Sequence, residues 1–85
     1  MIIKVLYFAR IKEAVNYSTE EVDLPDDVLT ITALKNWLAL RGEVWANLFD
    51  GKLVVRAAIN HTLVDDLATI QANDEVAFFP PVTGG

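Results

Sequence analysis

Ile2-Ile3-Lys4-Val5-Leu6-Tyr7-Phe8 is an apolar run interrupted by a single lysine. Its shortness and its β-branched and aromatic residues favour a strand over a helix. Side chains alternate along a strand, so Lys4 shares a face with Leu6 and Phe8, while Ile3, Val5 and Tyr7 share the other. A lysine on one face only marks that face as open. A second run, Glu75-Val76-Ala77-Phe78-Phe79, repeats the pattern: Glu75, Ala77 and Phe79 fall on a charged face, Val76 and Phe78 on an apolar one. Lys52 to Ile59 reads as a third strand, with Lys52, Val54 and Arg56 outward and Leu53, Val55, Ala57 and Ile59 inward. The chain therefore builds a sheet with one covered face and one free.

The segments between these runs supply the cover. Ala9 to Val15 can form a short helical turn before Asn16 to Ser18, and Thr19 to Leu24 is a half-exposed strand ended by Pro25. Thr30 can cap a helix whose apolar residues Ile31, Leu34, Trp37 and Leu38 recur at three- and four-residue spacing, with Gly42 placed to stop it. Val44 to Phe49 reads as a further turn or short helix. Asp50-Gly51 and Asn60-His61 are turn signals, and Thr62 to Val64 is a short extended piece. The order is that of an α+β, β-grasp (ubiquitin-like) fold: a mixed sheet with one main helix packed on one face. The expected core is Ile3, Val5, Tyr7, Ile31, Leu34, Leu38, Leu53, Val55, Ala57, Ile59, Val76 and Phe78.

The 85 residues make one domain, since a chain this short has no surface to spare for a second core. We place that domain at residues 1–79 and a flexible carboxyl-terminal tail at 80–85. With 53% hydrophobic residues and no cysteine, a packed core is expected without disulfides, and thiol catalysis and thiolate metal sites are excluded. Met1 to Ala9 is too short and wrongly flanked for a signal peptide, and no stretch approaches the ~20 apolar residues of a membrane span. A cytoplasmic protein is expected. The net charge of −5, without a block of lysine or arginine, argues against nucleic-acid binding.

Composition changes along the last residues, Phe79-Pro80-Pro81-Val82-Thr83-Gly84-Gly85. Two prolines cannot donate to a sheet ladder and prefer extended backbone, so they direct the chain away from the fold. The two glycines carry no side chains and can thread a narrow channel. A tail ending in an unhindered glycine carboxylate suits chemistry at that carboxylate. Phe8 and Phe79, both on the free face near the tail, suit a protein-binding patch.

No other signal carries chemistry. His61 stands alone in a turn with no second histidine or cysteine to complete a zinc site or a catalytic pair. Asp26-Asp27 and Asp65-Asp66 sit in turns, where aspartate bonds local backbone, and no metal site is expected. Trp37 and Trp45 read as packing residues around the main helix.

The string Phe78-Phe79-Pro80-Pro81-Val82-Thr83-Gly84-Gly85 resembles the terminus of the molybdopterin synthase small-subunit family, and Val5-Leu6-Tyr7-Phe8-Ala9 is similar to that family's opening strand. A terminal Gly-Gly is shared with ubiquitin and with the thiamine-pathway and tRNA-thiolation carriers; the preceding Phe-Phe-Pro-Pro separates this chain from them. The resemblance implies a sulfur carrier whose Gly85 is adenylated by a ubiquitin-activating-like enzyme using ATP. A sulfurtransferase then converts it to a thiocarboxylate. Residues 80–85 (Pro80, Pro81, Val82, Thr83, Gly84 and Gly85) would insert into the large synthase subunit and donate sulfur to cyclic pyranopterin monophosphate, in an assembly of two small and two large subunits. Phe8, Leu63 and Phe79 match the family's docking residues. The chain itself would bind no cofactor and have no activity alone. The competing readings are a carrier for another pathway, a protein modifier joined to lysines, and an inert interaction module.

Overall fold

The computed structural model describes residues 1–81. Along them run β1 (Ile2–Tyr7), α1 (Ala9–Val15), β2 (Thr19–Asp23), α2 (Ile31–Ala39), α3 (Glu43–Phe49), β3 (Arg56–Ile59), β4 (Thr62–Val64) and β5 (Glu75–Phe79). The two apolar runs that define the fold are neighbours at its centre. β1 and β5 pair in parallel, Lys4 opposite Glu75 and Tyr7 opposite Phe78. β2 closes one side of β1, β3 pairs antiparallel with β5, and β4 completes the order β2-β1-β5-β3-β4. This is the expected mixed β-grasp sheet.

Parity sorts the side chains as anticipated. Ile3, Val5 and Tyr7 of β1, Ala57 of β3 and Val76 and Phe78 of β5 are buried, and they share one core with Ile31, Leu34 and Leu38 of α2. The two shorter helices add Ile11 and Val15, and Leu48 and Phe49. Ile59 is only partly buried and packs at the core's edge.

Local signals set the element ends. The Thr30 Oγ1 accepts the Ala33 N–H at 3.1 Å and starts α2, satisfying one of the amides that a helix start leaves unpaired. Asn16 ends α1 with φ 64° and donates its N–H to the Lys12 carbonyl at 2.8 Å. Asn60 and His61 both take positive φ, 50° and 70°, as a two-residue hairpin turn requires. The Asn60 side chain locks that turn to the root of β5, donating to Asp74 and accepting from the Glu75 N–H, both at 2.9 Å.

Two expectations need correction. Gly42 does not stop α2, which is capped at Leu40; with φ 152° Gly42 instead precedes α3, where its permissive backbone lets the chain reverse between two helices. The third strand begins at Arg56, not at Lys52, and Leu53 is 47% exposed instead of buried. The register supplies the reason. Arg56 lies opposite Phe79, so continuing the pairing would set Val55 and Val54 against Pro80 and Pro81. Those residues have no N–H to give, and the ladder ends where their donors are missing.

A polar cluster closes the far side of α2 and α3. The buried Tyr7 hydroxyl donates to Glu20 Oε2 at 2.7 Å, and Arg41 donates to the same oxygen at 2.8 Å. The Arg41 guanidinium lies over the rings of Trp45 and Trp37, 4.7 and 5.3 Å from their centroids. Each Trp is thus a packing residue, as expected. Burial, reinforced by the bond to Glu20, raises the Tyr7 hydroxyl well above the ordinary tyrosine range.

Candidate functional site

The face of the sheet away from the helices is assembled by register. Leu63 of β4 lies opposite Ala58, Ala58 opposite Ala77, Ala77 opposite Leu6, and Leu6 opposite Thr19. These five residues form one row across all five strands, since directly paired residues share a face. Its middle is floored by two alanines, and at one edge Leu63 stands 64% exposed. The next row toward the tail contains Arg56 and Phe79.

Phe8 continues this face. It leaves β1 still extended, with φ −123° and ψ 153°, and its N–H donates to the Phe78 carbonyl at 3.1 Å. Extending the parallel register by one step sets Phe8 beside Phe79. Ala9 then takes φ 54°, a left-handed turn into α1 that a non-glycine residue adopts at a cost of about 1–2 kcal/mol. Phe8 is 47% exposed and Phe79 half-buried. The three residues singled out for docking therefore lie on one face, Phe8 and Phe79 at the end where the chain leaves the sheet and Leu63 one row back at the β4 edge.

The root of the tail has its own surroundings. Pro80 is half-buried and Pro81 exposed. Both line a cavity of about 310 Å³ with Arg10 and Ile11 of α1 and with Lys52, Leu53 and Val54. Val54 is 64% exposed. The backbone here is held from behind by Lys35, whose Nζ donates to the Val55 carbonyl at 2.7 Å and pairs with Asp66 at 2.9 Å. Val82, Thr83, Gly84 and Gly85 lie outside the described residues.

Three of the residues set aside as non-chemical, Asp65, Asp66 and His61, have structural partners. Asp65 Oδ1 accepts the Leu67 N–H at 2.8 Å and Asp66 is paired with Lys35. His61 lies 3.6 Å from Glu75 at the turn. Among the described residues no group of three or more His, Cys, Asp or Glu side chains is placed to hold a metal.

Sequence reasoning missed the company that Pro80 and Pro81 keep. The exposure of Leu53 beside the already outward Val54 and Lys52, and the approach of Arg10, came into view only with the third strand cut short. The signal was present in the sequence as the paired prolines, whose missing donors limit the neighbouring strand as well as their own.

Comparisons with known proteins bear on the family, the relatives and the fold of this chain. The family model described as ThiS family matches residues 5–85. The molybdopterin synthase sulfur carrier subunit of Escherichia coli (strain K12) is 46% identical over 84 residues, covering 98% of this chain and 99% of the relative. The protein of that name from Haemophilus influenzae is 42% identical over the same shares of the two chains. Among solved structures, SAMP1 from Haloferax volcanii superposes with a TM-score of 0.77 at 27% identity, covering 100% of both chains.

Proposed function

The chain belongs to the ThiS family, and on that premise we propose that it is the sulfur carrier subunit of a molybdopterin synthase, with the carboxylate of Gly85 as its working group. The observation that carries this reading is the exit of the Pro80-Pro81 segment from a central strand, beside the exposed face bearing Phe8, Leu63 and Phe79. The 46% identity to the Escherichia coli subunit over 98% of the chain supports this pathway over the other carrier routes.

A carboxylate is a poor electrophile. In this reading a Gly85 oxygen attacks the α-phosphorus of ATP on a separate adenylating enzyme, pyrophosphate leaves, and the acyl carbon becomes a mixed anhydride with AMP. A sulfur nucleophile delivered by a sulfurtransferase then displaces AMP and leaves a terminal thiocarboxylate. Pro80 and Pro81 hold the tail clear of the sheet, Val82 and Thr83 extend it, and Gly84 and Gly85 pass a narrow channel with the acyl carbon unhindered. Phe8, Leu63 and Phe79 seat the domain on the large synthase subunit, where the thiocarboxylate gives its sulfur to cyclic pyranopterin monophosphate. Two small and two large subunits make the working assembly. The chain contributes a carrier and a docking face; the nucleotide and the pterin belong to its partners. We place this cycle in the cytoplasm; among the described residues no helix is long and apolar enough to cross a membrane.

The test is the intact mass of the protein after incubation with the adenylating enzyme of its host, ATP and a sulfur source. A gain equal to replacing one oxygen by sulfur, abolished by deleting Gly85, is expected. Conversion of the pterin precursor on adding the large subunit then assigns the pathway. A charged carrier that leaves the pterin unchanged belongs to another thiolation route, and adducts on lysines indicate a protein modifier. An unchanged mass leaves only an interaction module.

A further inference from the structure

The chain carries a net charge of −5, yet its charges are segregated along the sheet. At the start of β5 and the end of β2 stand Asp74, Glu75, Glu21 and Asp23, with Asp26 and Asp27 following. At the opposite end, where β5 gives way to the tail, the cations Arg10, Lys12, Lys52 and Arg56 outnumber the carboxylates Glu13, Asp50 and Asp65. Arg10 and Lys52 line the cavity beside Pro80 and Pro81, and Arg56 is paired across from Phe79, the last residue of β5. All three are exposed. Among the described residues Asp50 is the one carboxylate within ion-pair distance of this collar, at 3.7 Å from Lys52; Glu13, a turn along α1 from Arg10, and Asp65, next to Arg56 in the extended β3–β4 register, lie nearby. Of the remaining basic side chains, Lys35 and Arg41 are held in ion pairs elsewhere, Lys12 lies on α1 with Arg10, and Lys4 stands at the acidic end opposite Glu75.

From this arrangement we infer that the protein receiving the tail presents carboxylates around the mouth of its channel, and that Arg10, Lys52 and Arg56 form a basic collar that docks on them. The inference rests on the tail being the working element. The collar is continuous with the face bearing Phe8 and Phe79, so both surfaces meet one partner. It lies at the root of the tail, four residues before Gly85, and so faces the rim of a channel while the terminus lies deeper inside. An acidic rim attracts the cationic end and repels the acidic end, which turns the chain tail-first during approach. Charge arranged in this way acts chiefly on the association rate and is screened by salt.

The experiment is stopped-flow association of the full chain with the purified large synthase subunit of the same organism, across a range of salt concentrations. For the natural chain the association rate constant should fall as salt is added. Reversal of the collar in Arg10→Glu/Lys52→Glu should lower that rate roughly tenfold at low ionic strength and flatten or invert its salt dependence. This pair spares the docking face, and adding Arg56→Glu should deepen the effect. Asp26→Ser/Asp27→Ser, at the far end, should not lower the rate, since it removes charge that an acidic rim repels. Circular dichroism and thermal melts confirm that each exposed-site variant folds. A natural chain whose association is indifferent to salt, or speeds up with it, overturns the acidic rim, as does a collar variant that associates at the natural rate. Failure of the natural chain to bind the large subunit at all counts instead against the proposed function.

Discussion

Truncating Leu63 to alanine separates docking from folding. The side chain is 64% exposed, so about a third of it contributes to the isolated fold. Full burial of a leucine relative to alanine is worth about 2 kcal/mol, which puts the folding cost near 0.7 kcal/mol and leaves about 1.3 kcal/mol to be realised when a partner covers the rest. The second figure corresponds to roughly a tenfold weaker Kd. Leu34, fully buried in α2, supplies the contrast: its truncation should cost about 2–5 kcal/mol of folding stability through the cavity it leaves. Urea denaturation of both variants gives the folding terms, and titration calorimetry against the large subunit gives the docking term for Leu63→Ala. Equal losses in both measurements, or a large folding loss with unchanged Kd, would refute the placement of Leu63 on an interface.

Three further outcomes follow from contacts inside the domain. Tyr7→Phe should cost about 1–2 kcal/mol at neutral pH, because it removes a buried hydroxyl bonded to a charged acceptor that Arg41 still partly satisfies. Because burial and Glu20 raise the folded-state pKa of Tyr7, its contribution is intact below the unfolded-state pKa of about 10 and declines as pH rises beyond it. Urea melts above that pH should show the natural chain losing stability faster than Tyr7→Phe, and parallel pH profiles would contradict the assignment. Lys35→Met keeps the apolar stem but releases the Val55 carbonyl and Asp66; amide exchange should accelerate at residues 53–55 while the β1 and β5 amides keep their protection. Thr30→Ala should lower stability by about 1 kcal/mol through loss of the α2 cap, read as a fall in melting temperature without change in the sheet's spectroscopic signature.

Periodicity and punctuation carried most of the fold. Alternation around Lys4 and Glu75 separated the covered face from the free one, and the bounds of α1 and the cap at Thr30 followed from local chemistry. Misjudgement came where local pattern and pairing disagreed. Lys52 to Val55 alternates like a strand, but a strand needs a partner able to exchange hydrogen bonds, and the partner residues here are Pro80 and Pro81. Gly42 was misread for a similar reason. A glycine between two helices can end the first or begin the second, and three residues between α2 and α3 left that choice to packing. The free face was legible because parity alone places Leu6 with Lys4 and Phe79 with Glu75. The basic collar was not, since Arg10 is remote in sequence from Lys52 and Arg56 and only α1, laid alongside β5, brings it to them.

The central position of β5 bears on how the domain withstands force. β5 lies between β1 in parallel and β3 in antiparallel pairing, so traction on the carboxyl end, opposed by β1 near the amino end, loads the β1–β5 hydrogen bonds in shear. Bonds loaded in this way must yield together, whereas bonds at a strand edge can be peeled one at a time. A partner drawing the tail into a tight channel therefore pulls along the direction in which the sheet is mechanically strongest. The proposed cycle at the terminus can therefore proceed without unravelling the domain that carries it.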